Sequence, residues 1–365
     1  MSGRLAVAER RRQRSRCPAV RILLTVAALA ACSPPSVPGE VPSSGPATET
    51  AATQRPGQVR IFGNWAVGCD NIALCTMTTL GPESGAGPPE LIVTLLRQPG
   101  GEGQVDLSFQ APGDDKPITP AALAIDGRVA RLDARSGPAA LRIATAMARG
   151  ATLDVRAATP ARISLNGASA ALRWIDEQQG RVGTVTAIVA RGTRPPSNVL
   201  PIGNPPTVRA VVPAGRPVSP TARQLAAMNR FAACEMPDGV DASPTLVALG
   251  AGRTLVILPC SAGAYNVIAA LFVLDTKGFA PAEVDSLSDG AEAVPDSPAP
   301  TLINAEWRQG ELTSYAKGRG LGDCGVREVL VWDGSRLRLT EQSVMPECRG
   351  NPHFLPTWRA QVVRG

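Results

Sequence analysis

Val329-Leu330-Val331-Trp332-Asp333-Gly334-Ser335-Arg336-Leu337-Arg338-Leu339-Thr340 carries the reading that decides the fold. Two apolar runs, Val329 to Trp332 and Leu337 to Thr340, flank an Asp-Gly turn, the strongest hairpin signal in the chain. Outward from it, glycine turns separate further runs of strand character: Leu246 to Leu249, Thr254 to Leu258, Val267 to Leu274, Leu302 to Trp307 and Leu312 to Ala316. Gly250-Ala251-Gly252 and Arg308-Gln309-Gly310 are further hairpin turns of this set. The pattern predicts an antiparallel meander, stacked or closed in a barrel-like way, over 219–365. One helix opens it, with Ser219 as N-cap, Pro220 at the first helical position, and Leu225, Met228 and Phe231 on one stripe.

The first half, 58–191, reads as a β-sandwich-like domain. Val59 to Val67 alternates into Cys69, and Leu91 to Leu96 and Val105 to Phe109 follow as strands. Two helices interrupt them, Pro138 to Ala148 and Ala168 to Gln179, each stopped by glycine. The stretch 192–218 is rich in proline and reads as the linker between the halves. The expected class is therefore mainly β, a β-rich α+β chain.

Before the folded part lie two segments of another kind. Seven arginines and then an apolar run from Ile22 to Ala31 have the order of a secretory signal over residues 1–31, and the run is too short to cross a bilayer. Its end, Leu29-Ala30-Ala31-Cys32, resembles the bacterial lipobox, which implies a lipidated Cys32 as mature N-terminus. Ser33, where an aspartate marks retention at the inner membrane in such lipoproteins, implies outer-membrane delivery facing the periplasm. Residues 32–57, mostly Pro, Ser, Gly, Thr and Ala, read as a disordered tether of about 25 to 30 Å coil dimension. The net charge of +6 belongs to the leader, which holds seven Arg and one Glu, so the mature chain is near neutral. That excludes the electrostatic footprint of a nucleic-acid binder.

Six cysteines fall as neighbouring couples, Cys69/Cys75, Cys234/Cys260 and Cys324/Cys348. No Cys-x-x-Cys or Cys/His cluster is present, so neither a metal site nor a redox dithiol is expected. Structural disulfides of an oxidising compartment are the reading, with neighbour-to-neighbour pairing preferred among the 15 connectivities that six cysteines allow.

Candidate catalytic motifs are thin. His353, the single histidine, sits in a proline-rich loop; Ser314-x-x-Lys317 lacks the companion motifs of penicillin-binding enzymes; Asp114-Asp115 reads as surface charge. Gly320-Leu321-Gly322-Asp323-Cys324-Gly325 matches Gly-x-Gly-x-x-Gly, but a strand follows it, so it reads as a tight turn pinned by a disulfide. No catalytic residue, cofactor or metal is expected. Tyr265, Asn266, Arg319, Asp323 and Trp332, polar and aromatic groups on glycine-rich turns, are the candidate binding residues. The expectation is a non-catalytic envelope lipoprotein, a binding or interaction module whose partner is an envelope protein or glycan. The alternative is a carboxylate-based hydrolase, or an inhibitor, acting in cell-wall glycan or peptide metabolism.

Trp65-Ala66-Val67-Gly68-Cys69-Asp70-Asn71 with Cys75, Pro259 to Asn266, Gly318 to Gly325, Val331-Trp332-Asp333-Gly334, Cys348-Arg349-Gly350 and Trp358-Arg359 together resemble the bacterial periplasmic family known as domain of unknown function 1176. The first half is also similar to the invasion-associated locus B proteins, small secreted β-sandwich domains. The resemblance implies an envelope location and a two-part β-rich fold, and it brings no catalytic residues.

Overall fold

A computed structural model describes residues 56–84, 87–114, 116–130, 134–285 and 297–365. The leader, Cys32, the tether up to residue 55 and Asp115 lie outside the described residues.

The first half opens with a meander of five antiparallel strands, β1 (Val59–Phe62), β2 (Trp65–Cys69), β3 (Cys75–Thr79), β4 (Ile92–Arg97) and β5 (Val105–Gln110), in sequential order. A second sheet has the order β7-β6-β8-β9, built from β6 (Ala122–Ile125), β7 (Arg128–Ala130), β8 (Thr152–Arg156) and β9 (Ala161–Ser164). Helices α1 (Gly137–Met147) and α2 (Ala168–Gln178) complete the half, within a residue or so of the glycine-stopped segments read from sequence. All four parts feed one core: Trp65, Met77, Leu95 and Phe109 from the first sheet, Leu153 and Ile163 from the second, Ile143 from α1, Leu172 and Ile175 from α2.

The stretch 192–218 is not a bare linker. It lies against the protein, and its β10 (Thr207–Ala210) pairs in parallel with a strand at the very C-terminus, described below. Thr221, not Ser219, caps α3 (Ala222–Phe231): its hydroxyl accepts from Gln224 N–H while the Gln224 side chain accepts from the Thr221 amide. That reciprocal pair satisfies two orphan groups at once and outcompetes a proline start two positions earlier.

Strands β11 (Thr245–Gly250), β12 (Arg253–Ala262), β13 (Val267–Asp275), β14 (Gly278–Pro281) and β15 (Thr301–Ile303) form one antiparallel sheet. A second contains β16 (Glu306–Arg308), β17 (Glu311–Lys317), β18 (Gly325–Trp332), β19 (Leu337–Met345) and β20 (Leu355–Arg359), in that order. The last strand, β21 (Gln361–Arg364), is the partner of β10. The sheets stack through Leu255, Ile257, Leu271, Leu312, Leu330, Trp332 and Leu339, so the meander is stacked and not closed into a barrel. α3 covers the far face of the first of these sheets at Met228, Val256, Leu258 and Phe272. That double burial explains the unbroken apolar run Leu255 to Leu258, which period-2 alternation would not produce. Among the described residues no helix packs on the second sheet, and its outer face carries the site.

Two local differences have clear causes. The run 302–307 breaks at Asn304, whose left-handed φ of 48° ends β15 before β16 begins. Asp333-Gly334 belongs to a four-residue loop, since Trp332 pairs with Leu337; Asp333 Oδ1 accepts from Ser335 N–H and Arg336 N–H and stabilises the wider turn. The two-residue turns with both central φ positive occur at Asp126-Gly127, Ala251-Gly252 and Gln309-Gly310.

The halves are one compact unit. Ala66 and Leu80 of the first share a buried cluster with Cys324, Met345 and Leu355 of the second.

Candidate functional site

The disulfides pair neighbour to neighbour: Cys69–Cys75, Cys234–Cys260 and Cys324–Cys348. Cys324–Cys348 is the one that shapes the site. It brings the segment 348–355 against the loop 318–325 that joins β17 to β18.

That loop is held from every side. Gly318 N–H donates to Cys324 O (3.0 Å), and Tyr265 Oη donates to Gly318 O (3.1 Å). Tyr315 Oη donates to Gly322 O. Arg319 forks onto both carboxylate oxygens of Asp323 (2.7 and 2.5 Å), and Asp323 also accepts from the Gly350 amide (2.6 Å). The Arg319 fork, aided by the Gly350 amide against the opposing effect of burial, holds the Asp323 carboxyl below the usual range. Gly325, at φ 127°, leaves no room for a side chain, since a Cβ would lie 1.9 Å from Ala316 O. The Gly-x-Gly-x-x-Gly match is therefore a closed loop leading into a strand.

Asn266 ties the two stacked sheets together. Its Nδ2 donates to Lys317 O (3.0 Å) and its Oδ1 accepts from Lys317 N–H (3.2 Å) and Asn304 Nδ2 (2.9 Å). Four of the candidate binding residues, Tyr265, Asn266, Arg319 and Asp323, thus meet at this one loop. Trp332 does not: it is 1 % exposed in the core between the sheets, with the Arg253 guanidinium 5.3 Å from its ring centroid. Strand alternation puts Trp332 on the inner face with Leu330, so it is a packing residue.

On the outer face of β17 to β20 the register sets Tyr315, Arg327, Ser343 and Pro356 in one cross-strand row and Thr313, Val329, Glu341 and Arg359 in the next. Tyr315 and Phe354 stand edge to face, centroids 5.7 Å apart, and Arg327 sits in their corner with its guanidinium carbon 4.5 Å from one centroid and 4.2 Å from the other. Such contacts fix a planar guanidinium and leave its edge donors pointing outward. Beside it lies a cleft of about 360 Å³ lined by Arg327, Glu341, Ser343, Phe354, Pro356, Trp358 and Arg359, among others. A larger groove of about 590 Å³, near Ile72, Pro99, Pro201 and Ile202, is mainly apolar and backbone.

None of Arg327, Glu341 and Phe354 stood out in the sequence. The Tyr315/Arg327 pair needs the register of β17 on β18, and Phe354 needs the Cys324–Cys348 link. The remaining motifs resolve as structure. Ser314 is buried in β17, bonded to both backbone groups of Ile303, and alternation turns Lys317 to the opposite face. Among the described residues no group of three His, Cys, Asp or Glu could hold a metal ion, and no helix is long and apolar enough to cross a membrane.

The sequence also hid a buried network in the first half. Asp176 accepts from the amides of Ile188, Val189 and Ala190, while Arg181 donates to Gln98 O and Gly100 O. Arg97 donates to Thr186 O; burial, with Arg181 nearby, pushes its guanidinium down to about 10. These groups anchor the segment 179–191 to the first sheet.

The seam between the halves collects some of the residues quoted for the resemblance. Arg349 donates to Gly81 O, Gly63 O and Asn64 Oδ1, and Asn351 to Thr78 and Thr79. Arg359 pairs with Asp70, whose side chain also caps the Ile72 and Leu74 amides inside the Cys69–Cys75 loop. Asp70, Asn71, Arg349 and Arg359 of that set thus meet at one contact, while Asn266 and Trp332 serve within the second half.

A protein of Escherichia coli (strain K12), "Uncharacterized protein YpfG", is 30% identical over 325 residues, covering 82% of this chain and 91% of its own length. No solved structure matches, and the likeness of the first half to the invasion-associated locus B proteins is not shown. The family model described as "Protein of unknown function (DUF1176)" matches residues 59–363, which takes in both halves and the seam, and the chain belongs to that family.

Proposed function

We propose that this protein is a non-catalytic binding module of the bacterial envelope, anchored by a lipid on Cys32 to the outer membrane and facing the periplasm. The observation that carries the binding role is the fixed presentation of Arg327 in the corner of Tyr315 and Phe354, on the wall of a cleft between β18, β19 and β20. Rigid strands and crosslinks lower the ordering cost of recognition. The three disulfides support an oxidising compartment. A hydrolase built on Asp323 as acid has less support, because a carboxyl held ionised by Arg319 has no proton to donate near neutrality.

The test uses the full chain expressed with its leader. Mass spectrometry of the N-terminal peptide should find an acylated Cys32, and an unmodified cysteine would remove the anchor from the reading. Hydroxyl-radical footprinting in an envelope extract should shield Tyr315, Phe354 and Trp358 relative to protein in buffer. Equal labelling of all three in both conditions rules the cleft out as a binding surface.

A further inference from the structure

Arg327 and Glu341 are diagonal neighbours across β18 and β19, because Arg327 pairs with Ser343 and Val329 with Glu341. Long side chains at that spacing reach one another. Among the described residues, however, neither enters an ion pair or a hydrogen bond: Arg327 turns to the two rings, and Glu341 stays exposed at the cleft. A guanidinium fork and a carboxylate, both uncommitted, thus line one concavity. Its volume of about 360 Å³ sits at the small end for sites that take low-molecular-weight ligands.

Each wall selects a chemistry. A planar fork with fixed orientation matches a carboxylate in bidentate geometry better than a spherical anion. Phe354 and Pro356 offer flat apolar surfaces of ring size, while Trp358, packed against the core between the sheets, borders the cleft. Glu341 can only accept, so it asks for N–H or O–H donors, and Ser343 can serve either way. A ligand that satisfies all of these has a carboxylate at one end, a ring with an apolar face in the middle, and hydroxyl or amide hydrogens at the other end. We propose that the cleft binds a carboxylate-bearing saccharide, with the carboxylate on Arg327, the ring against Phe354 and Pro356, and hydroxyl or amide hydrogens on Glu341. This deepens the binding-module reading and rests on it.

The experiment titrates the full chain in detergent with N-acetylmuramic acid and with N-acetylglucosamine, which share a ring and an acetamide and differ in the lactyl carboxylate. Calorimetry should show the acidic sugar binding about tenfold more tightly, as one charge-assisted bidentate contact allows. Arg327→Gln should abolish that preference, Arg327→Lys should keep part of it, and Glu341→Gln should weaken both sugars alike; circular dichroism checks that each variant folds. Equal affinity for the two sugars, or an unchanged preference in Arg327→Gln, overturns the assignment. If neither sugar binds while an envelope extract still shields Tyr315 and Phe354 from hydroxyl radicals, the saccharide assignment falls and the binding module stands. If the extract shields neither residue, both fall.

Discussion

Asn71 and Arg359 exchange two hydrogen bonds across 288 residues of chain: Asn71 Nδ2 donates to Arg359 O (3.0 Å), and Arg359 N–H donates to Asn71 Oδ1 (2.8 Å). A side-chain amide here does the work of a strand neighbour, satisfying both backbone groups of Arg359 and fastening the end of β20 to the disulfide loop of the first half. Asn71→Asp keeps the acceptor but replaces the donor with a charge facing a carbonyl. It should destabilise the protein by about 1 to 3 kcal/mol, and Asn71→Ala by a similar amount, read as a lower urea midpoint at unchanged slope. Full stability of both variants would mean that the seam carries no energy.

The Cys324–Cys348 crosslink is expected to act on site and stability together. In the loop-entropy account, a closure of this length is worth about 3.5 kcal/mol. The double variant Cys324→Ser/Cys348→Ser should lose a large part of that in chemical denaturation. It should also raise hydrogen exchange at Gly318 to Gly325 and Cys348 to Phe354, while the amides of Ile188 to Ala190, far from it in the other half, keep their protection.

Asp323 sets a pH dependence whose sign follows from its lowered folded pKa. A carboxyl with a folded value below its unfolded one, about 3.9, contributes stability that is fully present above the unfolded value. That contribution is lost as pH falls from there through the folded value. Acid titration of the wild type should therefore show an unfolding limb below about pH 4. Asp323→Asn should be less stable at neutral pH, and its stability should fall less steeply over the same acid window. Parallel curves for the two proteins would contradict the pairing with Arg319.

Trp332 separates packing from binding. Its indole nitrogen is buried without a hydrogen-bond partner, so Trp332→Phe removes volume but orphans nothing. Trp332→Ala should cost about 3 to 5 kcal/mol, and Trp332→Phe distinctly less. Ligand shielding at Tyr315 and Phe354 should survive Trp332→Phe. A selective loss of shielding in a variant of near-normal stability would return Trp332 to the site.

Much of the architecture was legible because it rests on local physics. Alternation marks the strands around Val59 and Leu312, glycines mark their ends, and close spacing marks the disulfide partners. What was hidden depends on distant pairings. Thr207–Ala210 carries no strand signal strong enough to outweigh its prolines, and it becomes a strand only because Gln361–Arg364 lies beside it. The prolines of 192–218 read as a linker between the halves, but the tertiary contacts of both halves across Ala66, Leu80, Met345 and Leu355 leave no free joint there.

The sequence alone determined the class of fold and the crosslinks, since each is a property of residues close together or of composition. Tertiary structure alone decided that Trp332 is core while Arg327 faces out, and that Arg327, Phe354 and Glu341 share a cleft. The reason is that a side chain's face in a sheet follows from strand register, and register between strands is set by turns, bulges and a disulfide acting together.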